Sequence, residues 1–213
     1  MTTTICIPAR IESTRLPRKM LAEINGTPLI LLMLEKALKS KADLTYIVTG
    51  SPAIAHIIPD EYLAYDPISS TSGTAHIADA VQKGLVTGDT IINLQGDEPL
   101  FELDNLNMFI DFAKYYKQDR CTAIKRRVES KEGVGVWMKD GWAVDFKRNS
   151  DWTYKHIGIY SYSREFLLEY KQEHRMDLEQ EGFMPLRAIE MITTSIGVDT
   201  PDDLRRVRSK LST

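Results

Sequence analysis

The sequence has little cysteine and no long apolar run, and each shortage excludes a class of protein. Its two cysteines, Cys6 and Cys121, lie far apart and form no metal-binding cluster. Cys6 lies within an apolar strand pattern and is expected to be a small buried side chain. No apolar run approaches the roughly 20 residues that span a bilayer, and the N-terminal residues lack the pattern of a secretory signal. We therefore expect a cytoplasmic protein without a membrane partner.

Positive charge is not in excess either. The chain has 27 lysines and arginines against 30 aspartates and glutamates, a formal net charge of −3. Broad nucleic-acid binding needs a large basic face, so we expect no nucleic-acid partner. Any anion site must be a local concentration of positive charge. The 213 residues, 43% of them hydrophobic and 27% charged, are typical of one soluble globular domain covering 1–213.

The first half of the chain alternates predicted strands with predicted helices. The strands are expected at 3–9, 44–50, 61–66 and 89–95, and the longer helices at 28–41, 72–85 and 103–117. This alternation predicts an α/β fold, a Rossmann-like domain with a mostly parallel central sheet and helices on both faces. Ligands of such sheets bind beyond the carboxyl ends of the strands.

The second half of the chain no longer alternates strands with helices in a regular way. Two alternating runs within 134–147 are joined by Asp140–Gly141, a pair favoured in tight hairpins. Further elements are expected as a strand at 154–163, a helix at 164–170, partly helical structure at 178–191 and a last helix from about Thr200–Pro201. The region of about 118–150 is the best candidate for a β-hairpin arm that projects from the domain.

A cationic loop follows the first strand. The stretch "IPARIESTRLPRK" places Arg10, Arg15, Arg18 and Lys19 within ten residues. A solvated surface loop could carry such charges, but "LQGDEP" follows the fourth strand at the same edge of the sheet. The loop has neither a glycine-rich run nor "GK[ST]", so it is not the phosphate-binding loop of ordinary ATPases and GTPases.

Two aspartates are candidate metal ligands. Asp97 follows a strand and a glycine, where a simple turn aspartate would also be common. In "GVDTPDDL" the N-cap Thr200 and the following Pro201 suffice to begin a helix, so Asp199 is left unexplained by helix formation. Mg²⁺ usually takes one or two carboxylates and completes its shell with water and substrate phosphate oxygens. The aspartates and the cationic loop together favour a magnesium–nucleotide site.

Five linked motifs carry a family resemblance. They are "IPARIESTRLPRKMLAEINGTPLI", "SGTAHIADAV", "INLQGDEP", "HIGIYSY" and "GVDTPDDLRRVR", in that order. In this order they resemble the CMP-Kdo synthetases, the 3-deoxy-manno-octulosonate cytidylyltransferases, from the first strand to the last helix. The resemblance implies a nucleotidyltransferase fold, CTP and an acidic sugar as substrates, Mg²⁺ as cofactor and a homodimer.

The resemblance also implies roles for individual residues. Arg10, Lys19 and Asp97 would be catalytic, and Asp97 with Asp199 would hold magnesium. Nucleotide contacts would come from Pro8, Ala9, Arg10, Ser13, Arg15, Lys19, Ser72, Gly73, Thr74 and Gln95. Sugar contacts would come from Gln95, Arg148, His156 and Tyr160.

The chain departs from the family pattern at several places. Ala75–His76 replaces an acid and an arginine, Met184–Pro185 replaces a Glu-Gln pair that contacts the sugar, and Arg18 replaces a glycine. The segments 51–71 and 118–150 are short. A thioether and a proline ring cannot replace a carboxylate acceptor and an amide donor. The sequence therefore supports cytidylyl transfer more strongly than it supports Kdo as the acceptor sugar. The alternatives are another acceptor, such as a nonulosonic acid, another nucleotide, or a non-catalytic nucleotide-binding homologue.

Overall fold

The computed structural model describes residues 1–67, 72–117, 120–127, 133–171 and 184–211. In the first half, the strands are β1 (Thr3–Pro8), β2 (Glu23–Ile24), β3 (Thr27–Pro28), β4 (Leu44–Thr49), β5 (Leu63–Tyr65) and β6 (Thr90–Leu94). The helices of this half are α1 (Leu29–Leu38), α2 (Pro52–Ala55), α3 (Gly73–Gln82) and α4 (Leu103–Tyr115). The predicted alternation of strands and helices is confirmed.

In the second half, the strands are β7 (Cys121–Arg126), β8 (Val134–Lys139), β9 (Trp142–Arg148), β10 (Tyr154–Ser163) and β11 (Leu186–Glu190). The helices are α5 (Arg164–Glu169) and α6 (Pro201–Leu211). One nine-stranded sheet has the order β5-β4-β1-β6-β10-β7-β11-β9-β8 and so takes strands from both halves. Strands β2 and β3 form a separate pair.

The four strands at one end of the sheet are parallel. Strand β1 pairs in parallel with β4 and β6, and β4 pairs in parallel with β5. Every residue of β1 and of β6 is buried, as expected for strands covered by helices on both faces. Their carboxyl ends lie at one edge, so the loops after β1 and β6 are neighbours there.

The prediction of a mostly parallel sheet is wrong for the second half. Strand β10 runs antiparallel to both β6 and β7, and β9 runs antiparallel to β11 and β8. Only β7 and β11 are parallel among these strands. Short connections reverse the chain, whereas parallel neighbours need a crossover, so the helix-poor second half is mainly antiparallel. The sheet as a whole is mixed.

The segment 178–191 was expected to be partly helical, but Leu186–Glu190 is strand β11. It lies between β7 and β9, and its backbone pairs with both strands. Sequence periodicity could not decide this short segment, which mixes apolar residues with Arg187 and Glu190. Pairing on both sides satisfies its backbone as a strand. Residues 178–183 lie outside the described residues.

The hairpin of β8 and β9 is confirmed. Its turn residues Asp140 and Gly141 have φ angles of 51° and 80°, the left-handed pair of a tight two-residue turn. Strand β8 also pairs with the start of β10, so the ring β10-β7-β11-β9-β8 closes on itself. The hairpin is thus part of the sheet. Trp137 on β8 is 55% exposed and contacts Trp152 edge-on. Residues 118–119 and 128–132 of the expected arm lie outside the described part.

Two hydrophobic clusters cover the two faces of the sheet. One joins Ile5 and Ile7 to α1, α4 and α6, and the other joins Cys6 to α3 and α5. The alternation of Ile5, Cys6 and Ile7 between clusters follows the two-residue period of a strand. Cys6 and Cys121 are free and buried, and burial raises the pKa of the Cys6 thiol. No helix within the described ranges is long and apolar enough to cross a membrane.

Candidate active site

Two aspartates from distant parts of the chain meet at one ammonium group. The Lys19 Nζ atom lies 2.7 Å from Asp97 Oδ2 and 3.1 Å from Asp199 Oδ1. A terminal nitrogen of Arg15 lies 2.9 Å from the same Asp199 oxygen. The structure therefore brings together four of the side chains that the sequence singled out. They form an ion-paired cluster at the carboxyl edge of β1 and β6.

The loop after β1 directs Lys19 to this position. Arg18 adopts the left-handed conformation (φ 56°, ψ 32°) and begins a single 3-10 turn over Lys19–Leu21. The Lys19 amide donates to the Leu16 carbonyl at 3.1 Å. The left-handed position explains why a glycine would also suit position 18, since glycine adopts it without steric cost.

Gly96 allows the two loops to approach each other. A Cβ atom at Gly96 would lie 3.0 Å from Sδ of the buried Met20 and 3.3 Å from Ile7 Cγ2. The residue before Asp97 therefore packs directly against the turn that carries Lys19. This close approach explains why a glycine occupies position 96. It also sets the distance between the Lys19 ammonium and the Asp97 carboxylate.

Asp199 is held beside Asp97 by the backbone, while its own side chain is not used to begin α6. The Val198 amide donates to the Asp97 carbonyl at 2.7 Å. Thr200 and Asp203 form the reciprocal cap: the Thr200 amide donates to Asp203 Oδ2 at 2.9 Å and the Asp203 amide to Thr200 Oγ1 at 3.2 Å. The Asp199 carboxylate is thus not needed for the helix start, as the sequence indicated, and it pairs with Arg15 and Lys19.

The charge state of Lys19 follows from opposing effects. Burial lowers its pKa, but the attraction and hydrogen bonds of Asp97 and Asp199 together outweigh burial and raise the pKa above the ordinary lysine value. Lys19 is therefore a full cation at neutral pH. A cation between two carboxylates shows that this position attracts positive charge.

A second lysine clamps the loop that carries Asp97. Lys36 of α1 donates to the Pro99 carbonyl at 2.5 Å and also to the Phe101 carbonyl. Burial lowers its pKa to about 8, opposed by Glu102 and Glu98. In the same loop the Glu98 carboxylate accepts from the Ser195 hydroxyl at 2.6 Å, and burial raises its pKa. Sequence reasoning missed both residues, because their roles depend on contacts across the fold.

The predicted nucleotide-binding residues divide into surface and interior groups. Arg10 and Arg15 are exposed and Ser13 is half-buried in the loop after β1, while Pro8 and Ala9 are buried at its start. Arg10 is close enough to α3 to help lower the pKa of the buried His76, although burial of the imidazole is the larger cause.

The first turn of α3 faces the end of β1. Ser72 is its N-cap, and its hydroxyl accepts from the Ala75 amide at 3.1 Å. A Cβ atom at Gly73 would lie 3.0 Å from Pro8 Cγ and 3.5 Å from Gln95 Nε2. These contacts bring the "SGT" turn, β1 and β6 together. Thr74 instead turns inward, since its hydroxyl shares a hydrogen bond of 2.7 Å with the Tyr162 hydroxyl.

Gln95 lies over Gly158 of β10. A Cβ atom at Gly158 would stand 2.8 Å from Gln95 Cγ. The backbone N–H of Gln95 donates to the Gly158 carbonyl at 3.1 Å. The register of β10 shifts between Ile157 and Tyr160, at this glycine. Gly158 is a functional candidate that sequence reasoning missed. An isolated glycine within a strand pattern was the available signal, because it marks a bulge or a close approach.

Two of the predicted sugar-binding residues stack on each other, the partly buried His156 and the buried Tyr160. The centroids of the His156 and Tyr160 rings lie 4.9 Å apart. His156 Nε2 shares a hydrogen bond of 2.9 Å with the Thr122 hydroxyl. Burial lowers the pKa of His156 to about 3, so its imidazole is neutral near pH 7. Tyr160 is only 2% exposed and is a core side chain here, whereas Arg148 is exposed at the end of β9.

The altered sugar segment contributes apolar surface. Met184 is half-buried and packs against the same cluster as Tyr160, Phe146 and Leu186. Pro185 is exposed directly before β11. The place where the family pattern has a Glu-Gln pair is therefore a thioether beside an apolar core.

The mixed sheet, the cationic loop and the paired carboxylates define the nucleotidyltransferase class of α/β proteins. A family model described as cytidylyltransferase matches residues 4–192. The chain is 33% identical to a 3-deoxy-manno-octulosonate cytidylyltransferase of Chlorobium phaeobacteroides (strain BS1), over 96% of this chain and 94% of that protein. It is 34% identical to the protein of that name from Francisella tularensis subsp. novicida (strain U112), over 96% of both.

A solved structure agrees with these relatives. It is a CMP:2-keto-3-deoxy-manno-octonic acid synthetase complexed with CTP, with a TM-score of 0.85 and 27% identity over 100% of this chain and 99% of that one. The chain belongs to the cytidylyltransferase family, within the group of the 3-deoxy-manno-octulosonate cytidylyltransferases. The resemblance found in the sequence motifs is confirmed.

Proposed function

We propose that this protein transfers a cytidylyl group from CTP to an acidic 3-deoxy-2-ulosonic sugar, Kdo or a variant of it, and releases pyrophosphate. The observation that carries the proposal is the meeting of Lys19, Asp97 and Asp199 beside the cationic loop. Relatives named for this activity, and a CTP-bound structural neighbour with the same fold, support it.

The chemistry depends on positioning and on neutralising charge. The anomeric hydroxyl oxygen of the sugar attacks the α-phosphorus, a new P–O bond forms, and the bond to pyrophosphate breaks in line with the attack. Arg10, Lys19 and Arg15 extend from the loop after β1 and would bind triphosphate oxygens, where their charge offsets the charge that develops on the leaving group. Ser13 belongs to the same loop.

The base and ribose would lie between β1 and α3. Pro8, Ala9 and the turn of Ser72, Gly73 and Thr74 would contact the cytidine mainly through their backbone. The buried hydroxyl of Thr74 supports a backbone role for this residue, because its side chain is already bonded to Tyr162. Gln95, supported by Gly158, would face the nucleotide or the sugar.

Magnesium fits the acidic pair. Asp97 and Asp199 each place an oxygen within 3.1 Å of one point, the Lys19 Nζ atom, and hard carboxylate oxygens suit Mg²⁺. Within the described ranges no group of three or more His, Cys, Asp or Glu side chains could hold a metal. The rest of the metal's coordination shell would therefore come from phosphate oxygens and water. Mg²⁺ ordinarily takes one or two carboxylates in this way. When bound, the ion would supply charge neutralisation at the phosphates.

The acceptor is expected to differ from Kdo at one end. Arg148 would bind the sugar carboxylate, and His156, stacked on the buried Tyr160, would border the sugar site. Met184 offers no acceptor or donor comparable to the Glu-Gln pair of the family pattern, so the site would discriminate differently among sugar hydroxyls and amines. A nonulosonic acid or an amino-substituted ulosonic acid, which differs from Kdo in these groups, is the second candidate acceptor.

Assembly and location complete the proposal. The chain is proposed to act as a single domain over 1–213 and as a homodimer joined near the 118–150 region, where Trp137 exposes an aromatic surface. CTP is a metabolite of the cytoplasm, so the reaction is proposed to occur there.

The test is pyrophosphate release from CTP, with CMP-sugar formation followed by mass spectrometry. The panel contains Kdo, its 8-amino analogue and nonulosonic acids, each with Mg²⁺ and with EDTA. Turnover that requires both Mg²⁺ and one of these acids is expected. Tight CTP binding without turnover on any acid, from folded protein, would instead identify a non-catalytic homologue.

A further inference from the structure

The ammonium of Lys19 lies between the two carboxylates that would hold a divalent ion. Its Nζ atom is shared by Asp97 and Asp199 at 2.7 and 3.1 Å, and Arg15 adds a second cation on the same Asp199 oxygen. The Lys19 side chain is only 11% exposed, so this contact is sheltered from solvent. The two positive and two negative formal charges of these four residues cancel.

We infer that Lys19 is a stand-in cation, which holds the two carboxylates in the nucleotide-free protein and leaves them only when a triphosphate offers it new partners. The inference rests on the proposed function, because it assumes that the aspartates hold a divalent ion during the reaction. Its consequence is that metal and nucleotide bind cooperatively.

Charge balance gives the physical reason. A divalent ion that enters alone adds its charge beside Lys19 and Arg15, which are still paired to its ligands. A triphosphate that enters alone brings about four negative charges close to Asp97 and Asp199. When both enter, Lys19 transfers to the phosphates and the ion takes its place between the carboxylates. Each ligand thus removes an obstacle to the other, and the coupling must be reciprocal.

The local geometry allows the ammonium to move while the backbone stays. The Lys19 amide is bonded to Leu16 and its turn is packed through Met20 against Gly96. The side chain itself is a flexible four-carbon stem with a compact charge. A change of partner therefore needs rotation about side-chain bonds and no rearrangement of the loop.

The first experiment measures Mn²⁺ binding to nucleotide-free protein by electron paramagnetic resonance. Lys19→Met is expected to bind Mn²⁺ at least tenfold more tightly than the unchanged protein, because the competing cation is gone. Lys39→Met is the matched control, since Lys39 is also ion-paired, to Glu35 at 2.6 Å on an exposed surface. It should leave Mn²⁺ binding unchanged. Lys19→Arg keeps the charge and should keep binding weak, and circular dichroism verifies that each variant is folded.

The second experiment measures CTP binding by calorimetry in EDTA and in saturating Mg²⁺. The CTP affinity in Mg²⁺ divided by the CTP affinity in EDTA should be smaller for Lys19→Met than for the unchanged protein. Mg²⁺ also binds CTP in solution, but this contribution is the same for both proteins and cancels in the comparison. If Lys19→Met binds Mn²⁺ no more tightly than the unchanged protein, the stand-in role is wrong although the magnesium site survives. If Mn²⁺ binds to none of the proteins, with or without CTP, both the magnesium site and the stand-in role are wrong.

Discussion

The backbone of Gly158 lies directly under the side chain of Gln95, with room for a hydrogen atom and not for a methyl group. A Cβ atom at this position would stand 2.8 Å from Gln95 Cγ and 3.2 Å from Gln95 Cβ. Strand β10 thereby supports, from the antiparallel half of the sheet, a side chain that follows the last strand of the parallel half. The relationship joins the two halves of the fold at the candidate site.

Gly158→Ala should displace Gln95 and lower kcat/KM by about tenfold or more, since small misplacements of substrate-binding groups are costly in rate. The matched control is Gly197→Ala, where a Cβ atom would make only ordinary contacts at 3.8 Å. Steady-state kinetics of both variants check this expectation. Equal kinetics for the two alanine variants would mean that the position of Gln95 does not matter to the reaction.

Asp199→Asn should reduce turnover by about 100-fold or more while leaving the melting temperature close to its original value, because a preorganised charged group contributes to rate on this scale. The helix start depends on Thr200 and Asp203 instead. Asp203→Ala is the contrasting variant and should lower stability by about 1 kcal/mol with little change in turnover, because it removes the acceptor of the Thr200 amide. Thermal unfolding and kinetics separate the two effects. A large loss of stability in Asp199→Asn would show a structural role for this carboxylate.

His156 should make the protein less stable in acid. Its pKa is about 3 in the folded state against 6.5 as the ordinary value. The unfolded chain therefore binds the proton first, and stability is lost as the pH falls from 6.5 towards 3. This difference amounts to about 2 kcal/mol between pH 7 and pH 5. Urea unfolding at both pH values should show a smaller difference in His156→Gln, and an identical difference would contradict the buried neutral imidazole.

Lys36→Met should loosen the loop that carries Asp97. It removes the donor to the Pro99 and Phe101 carbonyls and leaves two acceptors partly buried, which costs about 1–3 kcal/mol of unfolding free energy. Lys39→Met, on the exposed side of the same helix, should change stability by less than about 1 kcal/mol. Chemical denaturation measures both. Equal losses in the two variants would exclude a clamp at Lys36.

Local patterns were sufficient for much of the fold and for the acidic pair. The buried strand β1 and the Asp140–Gly141 turn have local causes, and both elements formed as predicted. Asp199 was recognisable because the N-cap Thr200 and the following Pro201 already account for the helix start. Strand β11 and the mixed sheet were not recognisable in this way, because a five-residue segment takes its conformation from the neighbours it pairs with.

The sequence by itself determined the alternation of strands and helices in the first half, the loop of positive charge and the family, because these depend on residue types at fixed spacings. Only the tertiary structure decided that Lys19 would lie between Asp97 and Asp199, that Gln95 would rest on Gly158, and that Tyr160 would be buried. The physical reason is that such contacts join residues far apart in the chain. Their distances are set by how the whole sheet twists and packs, which no local pattern encodes.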